Sequence, residues 1–253
     1  MTARPDGHRR LTAVVALAAL LACAASARAD EGPVDFINDF VVYSPTVVQG
    51  QSEVELRSAG YRDSSPVLDG ARGYAFSIAH SFTDWWKTEL YLGQYQRAPQ
   101  QPTNLVSYEF ENTFQLASPG EFWADPGFLL SYGYSTHTGQ ANELEFGPLF
   151  QKQSGRFIQR LNLLWGKELG TGAGRQYGFR TGYSVSYAWH RGFAPGVEFF
   201  AHPSNDAYMA GPVIYGEQAF GASELEYSAG MVFGLGRKAP DTTIMLRAEY
   251  EFF

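Results

Sequence analysis

The chain has 253 residues, 45% of them hydrophobic and 15% aromatic, with 19 Lys and Arg against 26 Asp and Glu for a formal charge of −7. That acidic balance excludes nucleic-acid binding driven by bulk charge. No stretch after residue 29 reaches the roughly 20 apolar residues of a spanning helix, so a helical membrane protein is excluded as well.

Arg4, Arg9 and Arg10 precede an apolar run from Leu11 to Ala22, and small residues follow to Ala27-Arg28-Ala29. A charged start, a short greasy centre and an Ala-x-Ala site are the layout of a secretory signal peptide. Leu20-Leu21-Ala22-Cys23 also resembles the lipobox at which lipoproteins are cut and acylated. The cut after Ala29 is preferred, because the residues after Cys23 make a normal cleavage region and the second lipobox position is usually smaller than Leu. Cleavage there removes four basic residues and one acid, leaving 15 basic against 25 acidic side chains and a charge of −10. It also removes the only cysteine, so the mature chain has neither a disulfide nor a thiolate site. The domain reading is therefore residues 1–29 signal peptide, 30–50 periplasmic lead-in and 51–253 barrel. Residues 36–48 contain Pro45 and do not alternate, so the alternatives for this stretch are a lead-in or a segment folded into the barrel mouth.

From residue 51 onward the period is two. Glu53-Val54-Glu55-Leu56, Tyr108-Glu109-Phe110-Glu111, Glu143-Leu144-Glu145-Phe146, Glu224-Leu225-Glu226-Tyr227 and Glu249-Tyr250-Glu251-Phe252 alternate strictly between charged and apolar. Successive strand side chains point to opposite faces, so each stretch has one wet and one greasy face. The alternation predicts twelve strands, at about 51–61, 71–82, 86–97, 104–116, 123–134, 142–152, 156–168, 176–189, 194–203, 207–216, 223–236 and 242–253. Tight connections at 83–85, 118–120, 153–155 and 191–193 take turns with mostly longer, more polar ones at 62–70, 98–103, 135–141 and 169–175. Short periplasmic turns and longer external loops are the habit of bacterial barrels.

The predicted outward parity carries Tyr74, Phe76, Ile78, Tyr108, Phe110, Phe128, Leu130, Tyr132, Tyr134, Phe179 and Tyr183, and the opposite parity is Gly, Ser, Ala, Glu and Arg. A soluble sandwich or barrel places its large apolar groups the other way. Phe82, Trp85, Trp86, Phe122, Trp123, Trp189 and Phe193 gather where strands meet turns, as aromatic girdles do at headgroup level. The fold class expected is all-β, a transmembrane antiparallel up-and-down barrel of twelve strands, exported and built into the outer membrane of a Gram-negative-type bacterium. The partners expected are outer-membrane lipids, a small-molecule permeant and no nucleic acid. The barrel-insertion machinery is a further partner, because the alternating end Leu246 to Phe253 resembles the terminal strand by which such barrels are recognised.

Several stretches resemble one family, the MetA-pathway-of-phenol-degradation-like transporters. They are Tyr43-Ser44-Pro45 followed by Gly50 and Glu53-Val54-Glu55-Leu56-Arg57; Thr83-Asp84-Trp85-Trp86-Lys87-Thr88-Glu89-Leu90-Tyr91; Trp123-Ala124-Asp125; and Leu144-Glu145-Phe146-Gly147-Pro148. The resemblance implies a barrel and, by the family's name, passage of small hydrophobic compounds.

The inward parity is predicted to hold Glu53, Glu55, Lys87, Glu143, Arg156, Glu224 and Glu249. It also holds the candidate constriction of Arg57, Glu89, Glu109, Glu111, Glu145, Arg160, Arg180, Glu198, Glu226 and Arg247. Both signs at similar heights predict Glu–Arg pairing across the lumen, since desolvated charges need partners. That ladder serves either a selective constriction or a structural staple.

His202-Pro203-Ser204-Asn205 resembles the His-x-Ser-Asn stretch of outer-membrane phospholipases and lipid A deacylases, where His activates Ser. Those sites open onto lipid, however, whereas the alternation turns His202 inward. His80, His137 and His190 are isolated, so no metal ligand set is read, and no cofactor is expected. Gly170 to Arg175 lacks the ending of a phosphate loop and reads as a hairpin loop. The functions carried forward are a passive channel or transporter for small, hydrophobic or aromatic molecules, a lumen-sealed structural or adhesive barrel, and a lipid hydrolase using His202 and Ser204; no enzyme is the preferred expectation. Amino-terminal sequencing of the mature protein should read from Asp30, whereas a blocked, acylated Cys23 would establish the lipoprotein route.

Overall fold

The computed structural model describes residues 40–253; the expected signal peptide with both cleavage alternatives, and residues 30–39 of the lead-in, lie outside the described residues. Twelve antiparallel strands form one closed sheet, each bonded to its neighbours in sequence and the first to the last. They are β1 (Ser52–Arg62), β2 (Arg72–Ser81), β3 (Trp86–Arg97), β4 (Asn104–Gln115), β5 (Asp125–Ser135), β6 (Asn142–Ser154), β7 (Phe157–Leu169), β8 (Tyr177–Tyr187), β9 (Ala194–His202), β10 (Ala207–Phe220), β11 (Ser223–Gly234) and β12 (Thr242–Phe252). Closure runs from Ser52 opposite Phe252 to Arg62 opposite Thr242, so neither terminal strand leaves an edge of unpaired backbone groups.

An even strand number places the start of β1 and the end of β12 at the same end, called here the turn end. Connections there include two-residue turns at 155–156 and 221–222. One departs from the expected tight turn: residues 116–124 form a nine-residue connection, because β5 starts at Asp125 and leaves Phe122 and Trp123 outside the strand. β10 also runs past the expected residue 216 to Phe220, pairing with β11 down to Phe220 opposite Ser223. At the opposite, loop end, residues 63–71, 98–103, 136–141, 170–176 and 235–241 make longer links, and a single 3₁₀ turn, Pro203–Asn205, joins β9 to β10.

The faces are inverted relative to a soluble barrel. Leu56 is 55% exposed and Leu246 53%, and they share the outside with Phe76, Ile78, Phe110, Leu130 and Val197. Glu53, Glu55, Arg57, Glu89, Glu109 and Glu111 are buried within. A surface of this kind is stable only against an apolar medium, since a water-exposed band of that extent would carry a large hydrophobic penalty. Trp85, Trp123 and Trp189 are exposed at the turn end, and Tyr95, Tyr108, Tyr132, Tyr134 and Tyr177 toward the loop end. Two amphipathic belts thus bracket the apolar band, where ring bodies meet acyl chains and polar tips meet headgroups.

Parity breaks inside β3 and again inside β4, where Gln94 lies opposite Ser107 but Tyr95 opposite Leu105, leaving Val106 as an extra residue. Leu92 is an extra residue in β3, with Gly93 opposite Phe76 and Tyr91 opposite Ser77. This bulge turns Glu89 and Tyr91 inward before it and Gln94 after it.

The inward face also differs from the expected run of small and charged residues. Tyr61, Leu129, Leu149, Leu164, Phe200, Met209, Val232 and Met245 point inward and are buried. They pack on residues 40–47, which run through the bore before Gly50 leads into β1. Leu130→Arg, at the middle of the lipid-facing side of β5, should cost about 2–4 kcal/mol in guanidinium unfolding from lipid vesicles.

Candidate functional site

The lumen is built around its own chain. Phe40 meets Tyr61 and Phe200 edge-on, with ring centroids 6.0 and 5.5 Å apart, near the loop end. Val41 and Tyr43 pack with Leu129, Leu149 and Leu164 on the β5–β7 wall. Farther toward the turn end, the Val47 amide donates to Gln115 Oε1 at 2.9 Å, and the Ser44 hydroxyl donates to Gln151 Oε1 at 3.2 Å.

The strongest fixing point is Asn162 on β7, which is fully buried. Its Oδ1 accepts from the Tyr43 amide at 2.6 Å and its Nδ2 donates to the Tyr43 carbonyl at 3.0 Å. One carboxamide thus supplies both bonds that a neighbouring strand would give to a segment with no strand partner. Gly127 and Gly182 make room for this close approach. A Cβ at Gly127 would lie 2.5 Å from Pro45 Cβ, and one at Gly182 would lie 3.2 Å from a Val42 methyl.

This inner segment divides the expected constriction in two. Arg57, Glu89, Glu109, Glu111, Glu145 and Arg180 are all buried. Arg180 binds Glu145 through two parallel bonds, Nε to Oε1 at 2.5 Å and Nη2 to Oε2 at 2.6 Å. Tyr43 lies between two guanidinium groups: Arg57 is 5.6 Å from its ring centroid and Arg180 is 5.9 Å away. Arg57 also lies 5.2 Å from the Tyr91 ring and pairs with Glu55. Glu89 accepts from Ser77 at 2.5 Å, and Glu109 accepts from Gln94 at 2.6 Å and from Ser131. One oxygen of Glu111 is buried with no hydrogen-bond partner among the described residues.

The expected pairing across the lumen is replaced by pairing along the wall. Arg180 and Glu145 lie two strands apart, as do Lys87 and Glu53 at 2.8 Å, while Arg247 joins Glu55 on the neighbouring strand and Glu249 on its own. The physical reason is that residues 40–47 occupy the axis, so opposite walls meet the inner segment and not each other. Arg156 departs from its inward expectation, because it falls in the exposed turn 155–156.

The other four candidates, Arg160, Glu198, Glu226 and Arg247, line together with Arg57 a cavity of about 340 Å³ between the inner segment and the wall from β7 through β12 to β1, open toward the turn end beside His190, Arg191 and Glu217. Its apolar wall includes Phe40, Val41, Val42, Ile158, Val213 and Met245. A second cavity of about 390 Å³ lies toward the loop end, lined by Gln94, Gln96, Ser107, His137 and Glu143 among others, and it shares no lining residue with the first.

Sequence periodicity could not find the inner segment directly, but one signal pointed to it. Large apolar residues such as Leu129, Leu149, Leu164 and Met209 sit at inward parity, and a water-filled lumen has no use for them. His202 ends β9 facing inward and is buried, and Ser204 lies in the following 3₁₀ turn with its hydroxyl buried and unbonded among the described residues.

Glu53, Glu249 and Glu251 bring carboxylate oxygens within 4.8 Å of one another. Glu53 is held by Lys87, Glu249 by Arg247 and Glu251 by Gln51. Removing the cation from the buried two-bond pair, Arg180→Met, should strand Glu145 and cost about 3–5 kcal/mol in guanidinium unfolding. The double variant Glu145→Gln/Arg180→Met should recover much of that loss.

No family model matches the sequence, and no curated protein matches it. Among solved structures, the chain is similar to LpxR from Salmonella typhimurium at 9% identity and a TM-score of 0.41, over 79% of this chain and 99% of that one. It is also similar to a triple mutant of the Rhodopseudomonas blastica porin at 11% identity and a TM-score of 0.28, over 80% of this chain and 98% of that one. Its closed twelve-strand sheet, apolar outside and charged inside make it an outer-membrane-type β-barrel.

Proposed function

We propose that the protein sits in the outer membrane with its turn end toward the periplasm and passes small, partly apolar molecules through its lumen by a route that residues 40–47 control. The observation that carries this reading is the inner segment, packed on β5–β7 through Val41 and Tyr43 and on β9–β12 through Phe40 and Val42, with an accessible cavity left beside it. A twelve-strand barrel lies between the eight-strand barrels that side chains fill and the sixteen-strand porins that hold open water. The segment Phe40 to Val47 occupies that surplus width. The resemblance to the MetA-pathway-of-phenol-degradation-like transporters points the same way, because that family name implies passage of small hydrophobic compounds. An outward Phe252 at the end of β12 suits recognition by the barrel-insertion machinery.

Movement of the segment is what opening requires, and its fixing is local. It is held by the Asn162 carboxamide, by the Gln115 and Gln151 side chains, by two ring–guanidinium contacts and by apolar packing, with no ladder of strand bonds. A second reading, a barrel sealed for good and acting through its external loops, is favoured by the same buried segment and by the wall-bound ion pairs.

Planar-bilayer recording separates the two. The full chain should give small, infrequent openings, and Asn162→Leu, which removes both bonds to Tyr43, should raise the open fraction at least threefold. A membrane that stays silent with the full chain, with Asn162→Leu and with Tyr43→Ala would establish the sealed barrel instead.

A further inference from the structure

The turn-end cavity is where charge and greasy surface meet without being used up by the fold. Most lumen charges are spent on one another: Arg180 on Glu145, Lys87 on Glu53, and Arg247 on Glu55 and Glu249. Three groups facing the cavity are not. Arg160 makes one polar contact among the described residues, from its Nε to Gln151 Oε1 at 2.7 Å, and forms no ion pair there. Glu198 accepts from the Tyr215 hydroxyl at 2.6 Å and is likewise outside any ion pair. Glu226 makes no hydrogen bond and no contact ion pair with a described residue, and feels Arg247 and Arg160 only across the cavity. Charges removed from bulk water need partners, and groups of both signs facing one cavity are completed by a molecule bearing both signs. A guanidinium with its fork free matches a carboxylate, and a carboxylate matches an ammonium.

Apolar side chains line the cavity as well: Val42 on the inner segment, and Val213 and Met245 on the same wall as the charged groups. Its volume of about 340 Å³ is at the small end of ligand sites, which run from about 300 to 1,000 Å³. We infer that this cavity binds a small zwitterion with an apolar body, of the class of hydrophobic α-amino acids. Arg160 takes the carboxylate, Glu226 with Glu198 takes the ammonium, and the side chain lies against Val42 and Val213. Val42 belongs to the inner segment, so an occupant touches the element whose movement opens the bore.

The inference rests on the reading above for the purpose of the cavity, but its test does not involve conductance, so the two can fail separately. Equilibrium dialysis of L-phenylalanine against the purified full chain in detergent should show saturable binding to one site. Competition by 2-phenylethylamine, which lacks the carboxylate, and by 3-phenylpropionate, which lacks the ammonium, should each be at least tenfold weaker. Arg160→Gln and Glu226→Gln should each weaken L-phenylalanine at least tenfold, and Glu143→Gln, at the loop-end cavity, should leave it unchanged. Far-UV circular dichroism reports whether each variant is folded, with Arg160→Lys and Glu198→Gln as replacements if either is not. Absence of saturable binding to the native chain, equal competition by the amine alone, or binding that survives loss of both Arg160 and Glu226 would each overturn the assignment.

Discussion

The constraint on which the structure depends is that a sheet in an apolar medium has no solvent to satisfy its backbone. Every strand must be bonded on both sides, and β1 against β12 completes the circle from Ser52 and Phe252 to Arg62 and Thr242. Once the circle is closed, the two-residue period of a strand makes the sorting of side chains automatic. One parity faces lipid and must be apolar; the other faces the lumen and is free to be charged. The ladder that places Leu56 outside thereby places Glu55 and Arg57 inside, where burial forces them to find partners.

Closure also sets the width, and width creates the need for residues 40–47. An interior too wide to be filled by wall side chains alone would hold water against Leu129, Leu149 and Leu164. The inner segment covers that surface with Val41 and Tyr43 instead. Its backbone then lacks strand partners, which is why the Asn162 carboxamide, a donor and an acceptor at one point, matters out of proportion to its size. The same segment explains why ion pairs follow the wall, and its residues 40–42 form one side of the turn-end cavity.

Most of the barrel was legible in the sequence because period two is a local signal. Charged and apolar residues alternate in Glu53 to Leu56 and in Glu249 to Phe252, and both stretches fall in the predicted strands with the predicted faces. The constriction residues Arg57, Arg180 and Glu145 were placed inward by the same rule. Three things were hidden, each for a stated reason. The bulge at Leu92 shifts parity by one and leaves no compositional mark beyond Gly93. Phe40 to Tyr43 is an unbroken run of buried apolar and aromatic residues, so that part of the segment has no alternation to read. The Arg180–Glu145 pair depends on which residues lie two strands apart, a long-range fact that alternation within one strand does not contain.

The account is tested most directly by the environment of adjacent residues on one strand. Single nitroxide labels placed successively at positions 128 to 132 of β5, in protein reconstituted into lipid, report access to oxygen, which dissolves in acyl chains. The account predicts high oxygen access at 128, 130 and 132 and low access at 129 and 131, where the inner segment and the Glu109 network cover the wall. Access that does not alternate, or that is highest at 129 and 131, would contradict it.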